Sequence, residues 1–201
     1  MARHRKRQDI KRDIVLKAKE LFSQKGYNAT SMEDICTITQ RSKGSIYYHF
    51  KSKEELFLFL CQINIEEWVK KWREMEHKYT NTMERLYAVA EHFIDNFETT
   101  LMYATQEFVT SQIVSLTTVE KMVEISRIPN KVYEEIVQKG IDEGELKQDN
   151  VQDLMYIVYA MLSGLGTLYY DYEMDMKELK RMYKKGIDVL WHGISVNHTT
   201  A

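Results

Sequence analysis

Apolar side chains recur at three- and four-residue steps along nearly the whole chain, a spacing that predicts helices rather than strands. Ile10, Ile14, Ala18, Leu21 and Phe22 fall on one face of a first helix, Gln8 to Lys25, with Gly26 placed to close it as a left-handed C-cap. Thr30-Ser31-Met32-Glu33-Asp34 opens a short second helix, with Ser31 as N-cap, Asp34 at N3, and Met32, Ile35 and Ile38 facing inward. After a break near Gln40, Ser42 caps a third helix of barely two turns, Lys43 to His49. A fourth starts with a capping box, Ser52-x-x-Glu55, and runs through Leu56, Phe59, Leu60 and Ile63 towards His77. Two short helices joined by a brief turn, after a longer one, make a helix-turn-helix inside a three-helix unit.

The periodicity continues past His77. A fifth helix begins at Thr80 or Thr82, with Leu86, Val89, Ala90, Phe93, Ile94 and Phe97 as its stripe, and Tyr103 to Ser115 reads as a sixth. The next helical segment starts at Thr117 or Thr118 and must break or kink at Ile128-Pro129, because proline lacks the N–H and clashes with the preceding turn. It resumes from Asn130 to about Glu143. An eighth helix, Val151 to about Tyr172, follows a cap at Asp149 or Asn150. In the ninth, about Met176 to Ser195, Leu179, Met182, Tyr183, Gly186, Ile187, Leu190, Trp191 and Ile194 repeat most regularly of all. The polar tail after Val196 is expected to fray. The chain reads as all-α with about nine helices: a helix-turn-helix domain over 1–55, and a larger helical domain over 56–201.

Composition agrees. One proline and eight glycines in 201 residues are few for a strand-rich fold. The uncharged run Leu154 to Tyr170 is shorter than the ~20 apolar residues of a spanning helix, and it carries Ser163, Gly164, Gly166 and four tyrosines, so it is read as a buried helix. Cys36 and Cys61 have no metal-like spacing and read as reduced thiols of a cytoplasmic protein. The basic start MARHRKRQ lacks a signal peptide's apolar segment. Its arm, Arg3 to Arg7, is expected to be mobile, either a solvated tail or a minor-groove or phosphate contact.

Charge sharpens the division. Residues 1–55 hold 13 Lys and Arg against 7 Asp and Glu, while residues 56–201 hold 15 against 23. A basic head on an acidic body implies that the head meets a polyanion. The stretch Ser42 to Lys53 concentrates the chemistry: two tyrosines, a histidine and three lysines in twelve residues suit a grip on a phosphate backbone.

Catalytic and metal patterns are poorly supported. Glu74-x-x-His77 is a spacing used in di-iron bundles, but no second Glu-x-x-His accompanies it. The chain has no His-Glu-x-x-His, no phosphate-cradling glycine loop and no nucleophile elbow. No enzyme activity, metal or cofactor is expected.

The order Gly26-Tyr27-Asn28-Ala29-Thr30-Ser31-Met32, Ile35, Ser42-Lys43-Gly44-Ser45-Ile46-Tyr47-Tyr48-His49-Phe50, Lys53-Glu54-Glu55-Leu56 resembles the N-terminal domain of TetR-family transcriptional repressors, over roughly residues 10–60. The resemblance implies a DNA-binding regulator, and the residue chemistry agrees with it. Lys43, Gly44 and Ser45, at the start of the short third helix, are placed to reach base edges, where lysine donates to guanine and glycine lets the backbone approach. Tyr47, Tyr48, His49 and Lys53 are expected on phosphates, with Thr30 and Ser42 hydrogen-bonding the backbone from loop ends, while Ile46 and Phe50 are core.

In such a family the body builds a homodimer and a small-molecule site. The resemblance therefore implies an interface from the last two helices, through Met161, Leu165, Leu179, Met182, Tyr183, Ile187, Leu190 and Trp191. An effector site is expected among Phe93, Phe97, Tyr103, Glu107, Tyr156 and Tyr159. Aromatic faces with carboxylates, among which Glu91, Asp95, Glu98 and Glu124 are further candidates, would suit an aromatic or cationic lipophilic effector. The expected action is repression at a palindromic operator, relieved when the effector tilts the fourth helix. An activator or ligand-independent regulator of the same fold, or a helical carrier or enzyme without DNA binding, is the alternative.

Overall fold

The computed structural model describes residues 2–95, 101–111 and 114–196. Among them the chain forms ten α-helices: α1 (Ala2–Lys25), α2 (Met32–Thr39), α3 (Lys43–His49), α4 (Lys53–Met75), α5 (Thr82–Asp95), α6 (Met102–Thr110), α7 (Leu116–Ser126), α8 (Asn130–Asp142), α9 (Val151–Asp171) and α10 (Met176–Ile194). A 3-10 turn, Glu76–Lys78, follows α4. Extended pairing among these residues amounts to an isolated antiparallel bridge between Leu146 and Ser195.

Three expectations change. The arm expected to be mobile is helical, since α1 begins at Ala2. The sixth helix ends at Thr110 rather than Ser115. The helix count changes: the expected interruption at Ile128-Pro129 is a full break, α7 closing at Arg127 and Pro129, at φ −69°, starting α8 with its ring already set to helical backbone. The tail after Val196 and Phe97 lie outside the described residues.

The chain divides into two compact units, residues 1–67 with 99–127, and residues 68–98 with 128–201. In the first, α6 and α7 join the helix-turn-helix. Its core is Ile14, Val15, Ala18, Phe22, Ile35, Ile46, Phe50, Leu56, Phe57 and Leu60, closed by Leu101, Ala104, Phe108 and Met122. Local caps set the short helices. Ser31 and Asp34 form a reciprocal box at α2, and Gln40 closes that helix in the left-handed region at φ 54°, its N–H donating to the carbonyls of Cys36 and Thr37. Ser42 Oγ accepts the Ser45 N–H to start α3. At α4, Ser52 Oγ accepts the Glu55 N–H while the Glu55 carboxylate reaches back to the Lys51 N–H.

The α2 box carries a pH signature. Backbone and hydroxyl donors of Ser31, with Lys25 beside them, hold the Asp34 carboxyl at about 2, down from 3.8. Because the folded state binds this proton less tightly than the unfolded state, the contribution is present above pH 3.8 and is lost as the pH falls towards 2. An Asp34→Asn variant should lose this part of the acid limb of a stability–pH curve, read by circular dichroism between roughly pH 2 and 4.

In the second unit α9 and α10 pack on each other and on α5, and α8 packs on α5 and α9. Gly140 on α8 allows close approach: a Cβ there would lie 2.8 Å from Leu146 and Thr82 side-chain atoms. Leu179, Tyr183 and Ile187 of α10 are buried, and the Tyr183 hydroxyl donates to the Leu162 carbonyl at 2.6 Å. These three expected interface residues are therefore spent on the chain's own core. The run expected to be a buried helix is buried on one face alone. Leu154, Met155, Val158 and Leu162 of α9 are covered, whereas Tyr156 and Ile157 are 54% and 50% exposed, and Ala160 and Gly164 are exposed with them. By length and composition α9 could cross a membrane, while one of its faces is covered by the chain's own helices.

Candidate nucleic-acid interface

Within α3 the core and the exposed face alternate as a two-turn helix requires. Ile46 and Phe50 are fully buried, and they hold the helix down on α1, α2 and α4. Lys43, Gly44, Tyr47 and Tyr48 stay exposed, Ser42 is exposed at the cap, and Ser45 and His49 are half-buried. Open space surrounds Gly44, where a Cβ would meet nothing within 4 Å. The expected base-reading end is thus presented outward, with Tyr48 the most exposed aromatic side chain of α3, at 67%.

The structure brings cations of α1 and of the turn before α3 to this face, among them Arg7 of the basic arm. Arg7 of α1 lies 5.2 Å above the Tyr48 ring. Lys11, one turn on, lies over the rings of Phe50 and Phe59 at 4.9 and 4.0 Å. Arg41, in the turn before α3, pairs with Asp13 at 3.0 Å. Burial first, and then Arg7, Arg41 and Lys11, push the His49 imidazole below its usual range. A cationic strip therefore runs from α1 onto the tyrosine face of α3. The signal that could have found it is the four-residue step from Arg7 to Lys11, which extends the first helix upstream of Gln8.

Two expected DNA contacts have other duties. Thr30 is buried, and its hydroxyl donates to the Gly26 carbonyl at 2.7 Å, locking the turn between α1 and α2. The Lys53 ammonium points into the same turn. It donates to the carbonyls of Tyr27 and Thr30 at 2.8 and 2.9 Å and sits 4.2 Å over the Tyr27 ring. Partial burial, the largest influence, holds this ammonium below the usual lysine range. Both residues shape the loop before α2 and are removed from the set of free phosphate contacts in this conformation. Lys43 also has a partner, the Glu33 carboxylate at 2.8 Å.

The residues expected around an effector scatter. Glu107 of α6 belongs to the first unit, where its carboxylate accepts the Asn28 N–H at 3.1 Å. Tyr103, in that unit too, is 55% exposed. Phe93, Tyr156 and Tyr159 belong to the second unit. Phe93 lies 6.0 Å from the Tyr183 ring, Tyr159 lies 6.3 Å from Tyr133, and Tyr156 is on the exposed face of α9. Helical geometry separates Tyr156 from the covered Met155–Val158–Leu162 stripe.

The second unit also holds an aromatic cluster that helical periodicity does not reveal. Trp68, Trp72, His92 and Tyr133 are buried together, with Trp68 4.6 Å from His92 and 6.1 Å from Tyr133. Trp68 Nε1–H donates to the His92 carbonyl at 3.3 Å, and His92 Nε2 is 2.9 Å from the Trp68 carbonyl. The Trp72 indole N–H is buried with no hydrogen-bond partner among the described residues. Among the described residues no group of three His, Cys, Asp or Glu side chains could hold a metal.

Residues 14–60 match the family described as bacterial regulatory proteins, tetR family, and residues 64–196 match that described as QacR-like protein, C-terminal region. The chain belongs to the TetR family. As a member of it, the protein is a DNA-binding transcriptional regulator. It is similar to the HTH-type transcriptional regulator QacR of Staphylococcus aureus, at 29% identity over 93% of this chain and 99% of that protein. It is also similar to the HTH-type transcriptional repressor KstR2 of Mycobacterium tuberculosis, at 25% identity over 69% of this chain and 70% of the relative.

Solved structures share its fold. A TetR transcriptional regulator from Chloroflexus aurantiacus aligns over 96% of this chain and 99% of its own, with a TM-score of 0.76 and 22% identity. A transcriptional regulator from Saccharomonospora viridis in complex with choline aligns over 94% and 100%, with a TM-score of 0.75 and 18% identity. In this chain the start of α3 faces outward, and the turn before α2 is held by Thr30 and Lys53.

Proposed function

We propose that this TetR-family regulator is a repressor that binds a palindromic operator as a homodimer and leaves it when a small molecule binds the body. The observation that carries the DNA part is the outward face of α3, with Lys43, Gly44 and Ser45 at its start and Tyr47 and Tyr48 on a helix pinned by buried Ile46 and Phe50. Lys43 to Ser45 are assigned to base edges, and Ser42, Tyr47, Tyr48 and His49 to phosphates, with Arg7 beside Tyr48. Residues 1–55 carry this role, and 56–201 carry dimerisation and effector binding.

Dimerisation is supported by the open face of α9, Tyr156, Ile157, Ala160 and Gly164, with Met161, Leu165, Met182, Leu190 and Trp191 half-buried beside it. Exposed small residues there let a partner helix approach closely. The effector reading rests on the aromatic set Trp68, Trp72, His92 and Tyr133, whose ring faces suit an aromatic or cationic lipophilic compound. The neighbouring structure bound to choline supports the cationic class. The carrier of the signal is α4, which holds Leu56, Phe57 and Leu60 in the first unit's core and Trp68 and Trp72 in the second. An effector releases operator only if it binds the non-operator conformation more tightly.

A mobility shift on DNA upstream of the protein's own gene tests this. Wild type should give a sequence-selective complex whose affinity falls steeply with salt. Lys43→Ala and Tyr48→Ala should each weaken it about tenfold or more. Quaternary ammonium dyes should release the complex, while neutral lipids should not. No selective complex, with both variants unchanged, would sink the DNA assignment.

A further inference from the structure

A carboxylate sits where α3 reads. Glu33, the second residue of α2, is 2.8 Å from the ammonium of Lys43, the first residue of α3. Both side chains are open to solvent, at 69% and 64% exposure. On a face that must approach phosphates, an anion is unfavourable everywhere along a duplex. In the first turn of α2 a carboxylate complements the helix dipole, but the dipole does not require Glu33 to reach Lys43, and the capping box itself is completed by Asp34, which is paired with Lys25 at 3.2 Å.

The geometry suggests what Glu33 does for Lys43. A lysine ammonium has three donors on a flexible stem. One is used on the Glu33 carboxylate, and the Tyr47 ring lies 6.0 Å from the same nitrogen. Two donors remain, and guanine offers two major-groove acceptors, O6 and N7. A phosphate in the same place would bring a second anion against Glu33, whereas the guanine edge is neutral.

Resting on the DNA-binding reading above, we infer that Glu33 is a specificity-determining positioning residue. It holds the Lys43 ammonium for a guanine edge and makes backbone phosphate a poor substitute. Glu33 touches no base in this scheme and acts through Lys43. The consequence is a regulator that gives up non-specific affinity for discrimination, which suits a short reading helix with few side chains in reach of bases.

The test uses the full-length protein, a duplex selected by wild type from a random pool, and a scrambled duplex of equal length. Fluorescence anisotropy across a salt series is read for wild type, Glu33→Gln, Glu33→Asp, Lys43→Ala and the Glu33→Gln/Lys43→Ala double variant. Glu33→Gln should bind the scrambled duplex more tightly, with a log K against log salt slope steeper by about one. Its ratio of selected to scrambled affinity should fall about tenfold, and guanine preference in a repeat selection should weaken. Glu33→Asp should restore part of the ratio. With Lys43 absent, Glu33→Gln should leave the ratio unmoved.

An unchanged ratio and slope in Glu33→Gln overturns the inference, as does an equal effect without Lys43, which would make the carboxylate mere bulk charge. Failure of wild type to select any duplex strikes the DNA reading itself, so the two failures are separable. Thermal melts check that the variants remain folded.

Discussion

Phe57→Ala is expected to lower the unfolding free energy by about 3–5 kcal/mol, measured as a shift of the urea midpoint at constant slope. Phe57 is completely buried near the start of α4. Its ring meets Phe22 edge-on at 4.8 Å and lies 5.0 Å from both Tyr27 and Phe108. One side chain thus joins α1, the turn before α2, α4 and α6. Deleting it removes transfer energy and leaves a cavity that four separate elements would have to collapse to fill. Against a typical total of about 5–15 kcal/mol, that is a large fraction. Phe57→Leu should cost less, because it leaves a smaller void. Equal midpoints for Phe57→Ala and wild type would show that the ring is not an anchor of the first unit.

The second large effect is expected at Gly26, where substitution strikes backbone and carboxylate together. Gly26 has φ +78°, and a Cβ there would lie 2.4 Å from Glu107 Oε2. The left-handed backbone alone costs an L-residue about 1–2 kcal/mol. The new methyl must also push aside the end of the Glu107 side chain, whose carboxylate accepts the Asn28 N–H in an exposed hydrogen bond, a smaller cost than the backbone strain. Gly26→Ala should therefore be clearly destabilised in the same urea assay. Operator affinity should fall with it, because this turn sets the entry of α2. Glu107→Ala removes the clash but not the backbone strain. The double variant should then cost less than the sum of the singles, with a coupling on the order of 0.5–3 kcal/mol. Strict additivity would mean that the Glu107 contact is not part of the turn.

These two sites show where linear reading stops. Gly26 was legible as a C-cap because the helix-closing signal is local, and the same holds for Ser31 with Asp34 and Ser42 with Ser45, each three residues apart. The carboxylate that crowds Gly26 belongs to Glu107, which accepts the N–H of Asn28, 79 positions from it. Likewise Lys53 follows a recognisable motif, yet its ammonium is turned onto the carbonyls of Tyr27 and Thr30. A sequence shows that a lysine stands near a DNA-binding helix, but not whether a nearer acceptor takes it. Arg7 over Tyr48 was hidden because the arm lacks the apolar stripe by which helices are recognised, although α1 runs through it.

The α10 stripe makes the same point about packing. Leu179, Tyr183 and Ile187 repeat at helical spacing whether they face a partner or the same chain. The fold buries them internally and leaves Tyr156 and Ile157 of α9 open. What the sequence by itself determined is everything governed by near neighbours: the helical class, the caps, the break at Pro129, the helix-turn-helix order and the residues of α3 that cannot be core. What only the tertiary structure decided is which polar and aromatic groups are already satisfied: Lys53 and Thr30 inside the turn, Lys43 held by Glu33, Glu107 on Asn28, and Trp68 with His92. Periodicity fixes which face of a helix is apolar, whereas the partner of each side chain depends on distances between segments far apart in the chain.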